Sequence, residues 1–123
     1  MKTILYIEDD ATNAFVMVKL LERNYQMIHK EDGETGLQLL ATSKVDLVLM
    51  DINLGRGKMD GTETMKKIKA TKELNQLPVI AVTSYALPED EGRFRSQGFD
   101  DYIPKPVDRT KLLSHIEKFL PGD

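Results

Sequence analysis

The chain has 123 residues, a net charge of -3, 41% hydrophobic and 30% charged residues, and no cysteine. This size and composition are those of one globular domain, residues 1–123, and the weakly acidic balance argues against electrostatic capture of nucleic acid. Disulfides and thiolate metal sites are excluded, and no apolar run approaches the roughly 20 residues that span a bilayer. We therefore expect a cytoplasmic protein without a membrane segment and without direct binding of nucleic acid.

Five short apolar runs alternate with five amphipathic segments along the chain. The predicted strands are Ile4–Ile7, Tyr25–Lys30, Leu47–Met50, Val79–Val82 and Tyr102–Ile103. The predicted helices are Ala11–Arg23, Gly36–Ala41, Gly61–Lys72, a segment from Pro88 to just before Gly98, and one capped by Asp108 that ends near Leu120. The pattern of the first helix has a wide apolar band, so we expect Phe15 or Met17 to be partly exposed. The fourth helix has only Phe94 as a large apolar anchor, which predicts a loosely held helix.

This alternation predicts the fold class. A strand and a helix that repeat five times are typical of a parallel sheet with helices on both faces and right-handed crossovers. The expected fold is therefore α/β, a doubly wound (βα)5 domain of flavodoxin-like type. Periodicity alone does not give the strand order; we expect 2-1-3-4-5, the order of five-stranded sheets of this type.

Polar residues follow four of the predicted strands. Glu8 and Asp9 come after the first strand, Asp51 after the third, Thr83 after the fourth and Lys105 after the fifth. Each of these residues alone is more often a helix cap, a turn residue or an exposed side chain. The carboxyl ends of parallel strands share one edge of a sheet, however, and ligands bind there in open α/β folds. We therefore expect the five side chains to form one site.

The residue types at this edge point to phosphoryl transfer. Three carboxylates repel one another, and Mg²⁺, which prefers oxygen ligands, would relieve the repulsion with two acids and a backbone carbonyl near Asn53. With the metal and Lys105 present, the charge of the site is close to neutral, which favours an incoming phosphoryl group. Asp51 would be the nucleophile and form an acyl phosphate, and Thr83 would donate a hydrogen bond to a phosphoryl oxygen.

This set of residues resembles the receiver domain of two-component response regulators, the CheY-like superfamily. The resemblance covers essentially the whole chain. It extends to three further segments around the site residues, which are Met59–Gly61, Pro78–Thr83 and Gly98–Pro106.

The resemblance implies a role for each site residue. Asp51 would accept a phosphoryl group from a histidine kinase or a histidine phosphotransfer protein in a Mg²⁺-dependent reaction, with Lys105 paired to the phosphoryl group. The implied metal ligands are Glu8, Asp9, Asp51 and the main-chain carbonyl of Asn53. Thr83 and Tyr102 would be switch residues that alter a face made of the fourth helix, fifth strand and fifth helix, where a downstream protein target binds. Such a domain catalyses only its own phosphorylation and dephosphorylation.

The loop after the acceptor departs from the family pattern. Gly61 lies ten positions after Asp51, which makes the loop two residues longer than is usual in the family. A solvated insertion is the plainer interpretation. The alternative is that Arg56 or Lys58 reaches the phosphoryl group or a kinase.

Tyr85 lies where the family tunes access of hydrolytic water, and a ring there would either slow dephosphorylation or point to solvent.

Other functions were weighed against this one. A Mg²⁺-dependent phosphohydrolase with an aspartyl nucleophile usually has a second acid where this chain has Asn53, and the chain is short for a substrate cap. A nucleotide- or flavin-binding domain would be disfavoured by the acids Glu8–Asp10, which repel phosphate. A receiver that has lost phosphoryl transfer is disfavoured because every chemical position is filled.

The two histidines, His29 and His115, are expected to be ordinary surface or half-buried residues away from Asp51. The chain would be a stand-alone regulator or a receiver from a hybrid kinase.

Overall fold

The computed structural model describes residues 1–52, 60–84 and 88–121, and for residues 88 and 89 it describes the backbone only. Five strands are present, namely β1 (Thr3–Ile7), β2 (Gln26–Lys30), β3 (Leu47–Asp51), β4 (Val79–Thr83) and β5 (Asp101–Pro104). Five helices alternate with them, namely α1 (Ala11–Leu21), α2 (Gly33–Thr42), α3 (Gly61–Ala70), α4 (Pro88–Gln97) and α5 (Arg109–Glu117).

All the strands lie in one parallel sheet with the order β2-β1-β3-β4-β5. The predicted fold class and strand order are thus confirmed. Within the described ranges, no helix is long and apolar enough to cross a bilayer.

The sheet separates two apolar clusters, because successive side chains of a strand point to opposite faces. Tyr6, Leu49 and Val82 belong to the cluster that contains α1 and α5 residues. Their neighbours Ile7 and Met50 belong to the cluster on the opposite face, with residues of α2, α3 and α4. Every residue of β3 and β4 is buried. The central strands therefore form a rigid base from which Asp51 and Thr83 project at the carboxyl edge.

The second helix begins earlier than the sequence pattern predicts. α2 begins at Gly33, capped by the side chain of Asp32, which accepts a hydrogen bond from the Thr35 amide at 2.8 Å. The predicted start at Gly36 leaves out Asp32 and Gly33, which are as typical of a turn as of a capped helix start. Gly36 lies inside the helix because the helix approaches the sheet closely: a Cβ there would lie 2.5 Å from Ile7 Cδ1.

Three helices end earlier than predicted, since α1 ends at Leu21, α3 at Ala70 and α5 at Glu117. On α1, Phe15 is 62% exposed and Met17 is 2% exposed. The expectation that one of these two side chains is partly exposed is therefore confirmed for Phe15.

The fourth helix is anchored by aromatic contacts. Phe94 is buried, and among the described side chains 90–97 of α4 it is the one that is buried. Its ring packs edge to face against Phe99 with the centroids 6.0 Å apart, and 6.1 Å from the ring of Tyr102. The predicted anchor is thus confirmed, and it joins α4 to Tyr102 of β5.

Candidate functional site

The predicted acidic residues lie together at the carboxyl edge of the sheet. Glu8 follows β1 and Asp51 ends β3, and both are almost fully buried, whereas Asp9 is exposed. One carboxylate oxygen from each of the three residues lies within 4.8 Å of the others. The cluster is therefore buried on its inner side and open to solvent on the side of Asp9, as a metal site with exchangeable water ligands would need to be.

Lys105 reaches this cluster from the other side. Its Nζ lies 3.1 Å from Asp51 Oδ1, and the two side chains form an ion pair. The Lys105 amide donates a hydrogen bond of 2.8 Å to the Thr83 carbonyl, so the end of β4 holds the loop after β5. The ammonium group is thereby fixed beside the buried Asp51 carboxylate.

Thr83 is buried on β4, the strand between β3, which carries Asp51, and β5, which precedes Lys105. It is the last residue of β4 and pairs with Pro104, while its neighbour Val82 pairs with Asp51. Tyr102 is half-buried further back on β5 and contacts Phe94 of α4, so it is not in the acidic cluster itself. The sheet thus connects the site to α4 through Thr83, β5 and the aromatic contact.

Gly61, at the start of α3, lies close to the main chain of Asp51. A Cβ on Gly61 would lie 2.6 Å from the main-chain oxygen of Asp51. α3 begins at this glycine, and the Asp60 side chain caps the helix by accepting a hydrogen bond of 2.7 Å from the Glu63 amide. The N-terminus of α3 therefore packs directly on the residue that carries the central carboxylate.

Several predictions fall outside the described residues. They concern the main-chain carbonyl of Asn53, the basic loop residues Arg56 and Lys58, and Tyr85. They stay predictions.

Burial raises the pKa values of two groups in and beside the acidic cluster, Glu8 and Tyr6. The pKa of Glu8 is raised to about 8, mainly by burial and then by the interaction of its carboxyl with Asp51, while Asn13 and Lys105 act in the opposite direction. The pKa of the Tyr6 phenol is also raised, mainly by burial and then by the nearby carboxylates of Glu8 and Asp51. Without a cation the cluster therefore holds a proton in order to limit its negative charge.

The residues present fit a divalent cation. The buried Glu8 Oε2 has no hydrogen-bond partner among the described residues, although buried carboxylate oxygens are normally satisfied. Three carboxylates with Lys105 carry an excess of negative charge when all are ionised, and hard oxygen donors are the ligands that Mg²⁺ prefers. A magnesium ion would satisfy the orphaned oxygen and replace the proton.

The histidines have more specific contacts than we expected. His29 Nε2 lies 2.6 Å from the main-chain oxygen of Glu8, and His115 Nδ1 lies 2.8 Å from Asp101 Oδ2. Both rings remain exposed or half-buried, as predicted. Neither contact is associated with a periodic pattern in the sequence.

Asp101 is a buried acid that the sequence analysis missed. It is 3% exposed, and besides His115 it pairs with Arg95 of α4 at 3.1 Å and Lys118 at 3.8 Å. Since Asp100 and Asp101 together look like a polar turn, burial of one of them could not be inferred. The carboxylate joins α4 to the α5 segment across the beginning of β5.

Comparison with known proteins defines the class. The model of the response regulator receiver domain family matches residues 4–117, and the chain belongs to this family. Curated relatives include the polar-differentiation response regulators DivK of Brucella anthropi and Brucella ovis, each 36% identical over 99% of this chain and 98% of its own length.

Solved structures agree. The receiver domain of a signal transduction histidine kinase from Syntrophus aciditrophicus is 31% identical, with a TM-score of 0.86, 98% of this chain covered and 90% of the other. The receiver domain of a sensor histidine kinase from Pseudomonas aeruginosa, with a magnesium ion coordinated in its active site cleft, is 27% identical with a TM-score of 0.86 and 98% of both chains covered.

Proposed function

We propose that this receiver domain is a phosphoacceptor switch in which Asp51 takes a phosphoryl group from a phosphohistidine of a histidine kinase or histidine phosphotransfer protein. The observation that carries the proposal is the buried Asp51 carboxylate held 3.1 Å from Lys105 Nζ within an acidic cluster. A carboxylate oxygen of Asp51 attacks phosphorus, the P–N bond to the donor imidazole breaks, and the released imidazole nitrogen gains a proton. The product is an acyl phosphate on Asp51.

We assign Glu8, Asp9 and Asp51 as the residues that hold Mg²⁺, and the carbonyl of Asn53 stays a predicted fourth ligand. When bound, the ion neutralises charge that develops on the phosphoryl oxygens. The orphaned Glu8 oxygen and the clustering of three acids support the assignment. The magnesium-bound receiver from Pseudomonas aeruginosa supports it as well.

Lys105 and Thr83 would act on the transferred group. Once Asp51 carries the phosphoryl group as an acyl phosphate, the Lys105 ammonium loses its carboxylate partner and can pair with a phosphoryl oxygen within reach of the same position. The Thr83 hydroxyl, at the end of the adjacent strand, would donate a hydrogen bond to another phosphoryl oxygen. Their roles are thus to stabilise charge and to sense the product.

The proposed output is a change in the face formed by α4, β5 and α5, to which a downstream protein binds. Movement of Thr83 would be passed to Tyr102, whose ring touches the Phe94 anchor of α4. The Asp101 carboxylate ties α4 to the same strand through its ion pair with Arg95, and to the α5 segment through its contact with His115. A helix held by one buried aromatic side chain and an ion cluster is one whose position a small energy difference can shift.

The test is the intact mass of the protein after incubation with acetyl phosphate, a donor that needs no partner protein. With Mg²⁺ we expect a gain of one phosphoryl group, roughly 80 Da, and with a chelator present we expect little or none. The metal dependence follows from the repulsion that three carboxylates exert on an incoming phosphate. Equal gain with and without metal would contradict the assigned metal role, and no gain under either condition would contradict the proposed function.

A further inference from the structure

We propose that His29 is a positioning residue for the metal site, and that it fixes the main chain between Glu8 and Asp9 from the neighbouring strand. The inference rests on the proposed function, since it concerns the Mg²⁺ ion assigned to that site. His29 itself would touch neither the ion nor the phosphoryl group.

The contact is a hydrogen bond from a side chain to the main chain. His29 Nε2 lies 2.6 Å from the Glu8 carbonyl oxygen. A carbonyl oxygen only accepts, so Nε2 must carry the proton, and it does so both in one neutral tautomer and in the cation. The bond therefore does not depend on the charge of the ring.

The strand register explains how the ring reaches this oxygen. His29 pairs with Tyr6 in the β1–β2 ladder, so its side chain needs to extend only two residues along β1 to meet Glu8. The regular ladder continues to the pair of Ile7 with Lys30, and the Glu8 amide then donates to the Lys30 carbonyl at 3.0 Å. Both main-chain groups of Glu8 are thus held by β2, although Glu8 lies beyond the end of β1.

The hydrogen bond from His29 to this carbonyl affects the orientation of Glu8 and Asp9. The carbonyl of Glu8 belongs to the planar peptide that joins it to Asp9, so its hydrogen bond orients that plane. Asp9 is exposed, and little packing is available to fix where its carboxylate points. Glu8 is buried, so packing already restricts where its carboxylate points. His29 therefore matters most for the direction in which Asp9 leaves the backbone.

Ligand direction matters because Mg²⁺ demands nearly ideal octahedral geometry. Residues that orient metal ligands typically change metal affinity when they are removed. For one solvent-accessible hydrogen bond we expect a factor of about 3 to 10. A side-chain amide of similar reach can also donate, so glutamine at this position should restore most of the affinity.

The experiment is a Mg²⁺ titration of the unphosphorylated chain, followed by amide NMR shifts, for wild type and the variants His29→Ala and His29→Gln. The matched control is Gln26→Ala, which truncates another exposed side chain on β2. We expect His29→Ala to bind Mg²⁺ about 3- to 10-fold more weakly, His29→Gln to stay within about twofold of wild type, and the control to be unchanged.

The outcomes separate this inference from the proposed function. Wild-type affinity in His29→Ala would overturn the positioning role and leave the metal site intact. Equal weakening in His29→Ala, His29→Gln and the control would also overturn it, because the effect would then come from any change on β2. Absence of Mg²⁺ binding in the wild type would overturn both the metal assignment and the role of His29.

Discussion

The variant Asp51→Asn is expected to take up no phosphoryl group from acetyl phosphate under conditions in which the wild type is phosphorylated. An amide oxygen is a poor nucleophile, and the proposed reaction has no second acceptor at the site. The fold should persist, since the amide oxygen can still accept the hydrogen bond that Lys105 now donates to Oδ1 at 3.1 Å. Intact mass with Mg²⁺ present measures the effect.

Asp51→Asn should lose phosphorylation without losing folding stability. Asp51 is one of three clustered acids, and removing its charge relieves repulsion with Asp9, and with Glu8 at the pH values where Glu8 is ionised. We therefore expect the metal-free variant to be at least as stable as the metal-free wild type in urea, and Mg²⁺ to stabilise it less. The matched control is Asp60→Asn, which removes a nearby exposed carboxylate but keeps a good helix cap, and it should be phosphorylated normally. Phosphoryl uptake by Asp51→Asn would contradict the assignment of the acceptor.

Magnesium affinity is expected to rise steeply with pH up to about 8. The pKa of Glu8 is raised from its ordinary 4.5 to about 8, first by burial and then by its hydrogen bond to Asp51, so below pH 8 the metal-free site mostly holds a proton. Binding of Mg²⁺ must displace that proton, and the apparent dissociation constant therefore increases by up to about tenfold for each pH unit below 8. Titrations at pH 6, 7 and 8 by calorimetry test this.

The folding stability of the metal-free protein should decrease as pH rises. A carboxyl group with a raised pKa in the folded state contributes stability that is fully present below pH 4.5 and is lost as pH rises through about 8. The metal-free chain should accordingly become less stable between pH 5 and 8, and Mg²⁺ should offset the loss. The variant Glu8→Gln should bind Mg²⁺ weakly and with a flatter pH dependence. A wild-type affinity that is constant from pH 6 to 8 would contradict the proposed exchange of a proton for the metal.

The fold was predictable because each element carries its own pattern. The continuous apolar runs of β3 and β4 indicated strands buried on both faces, and the sheet buries every residue of both. The strand order was predicted from the fold type, not from periodicity. Helix ends were less accurate, as at α2, because Asp32 and Gly33 are compatible with both a turn and a capped helix start.

The site was predictable to the extent that it lies at strand ends. Parallel strands bring their carboxyl ends together, so the sequence alone predicts that residues far apart in the chain, such as Glu8, Asp51 and Lys105, lie at one edge of the sheet. Contacts that depend on the reach of a side chain across the fold could not be predicted. The bond from His29 to Glu8 and the burial of Asp101 are of this kind, because neither produces a local pattern in the sequence.

Asp51 is the residue that we propose carries the phosphoryl group. The most direct measurement is to reduce the phosphorylated protein with borohydride, which converts an acyl phosphate to an alcohol, and then to locate the altered residue by peptide mass mapping. We expect a single modified aspartate, at position 51, whose modification depends on Mg²⁺. Modification at Asp9 or another acid instead of Asp51 would contradict it.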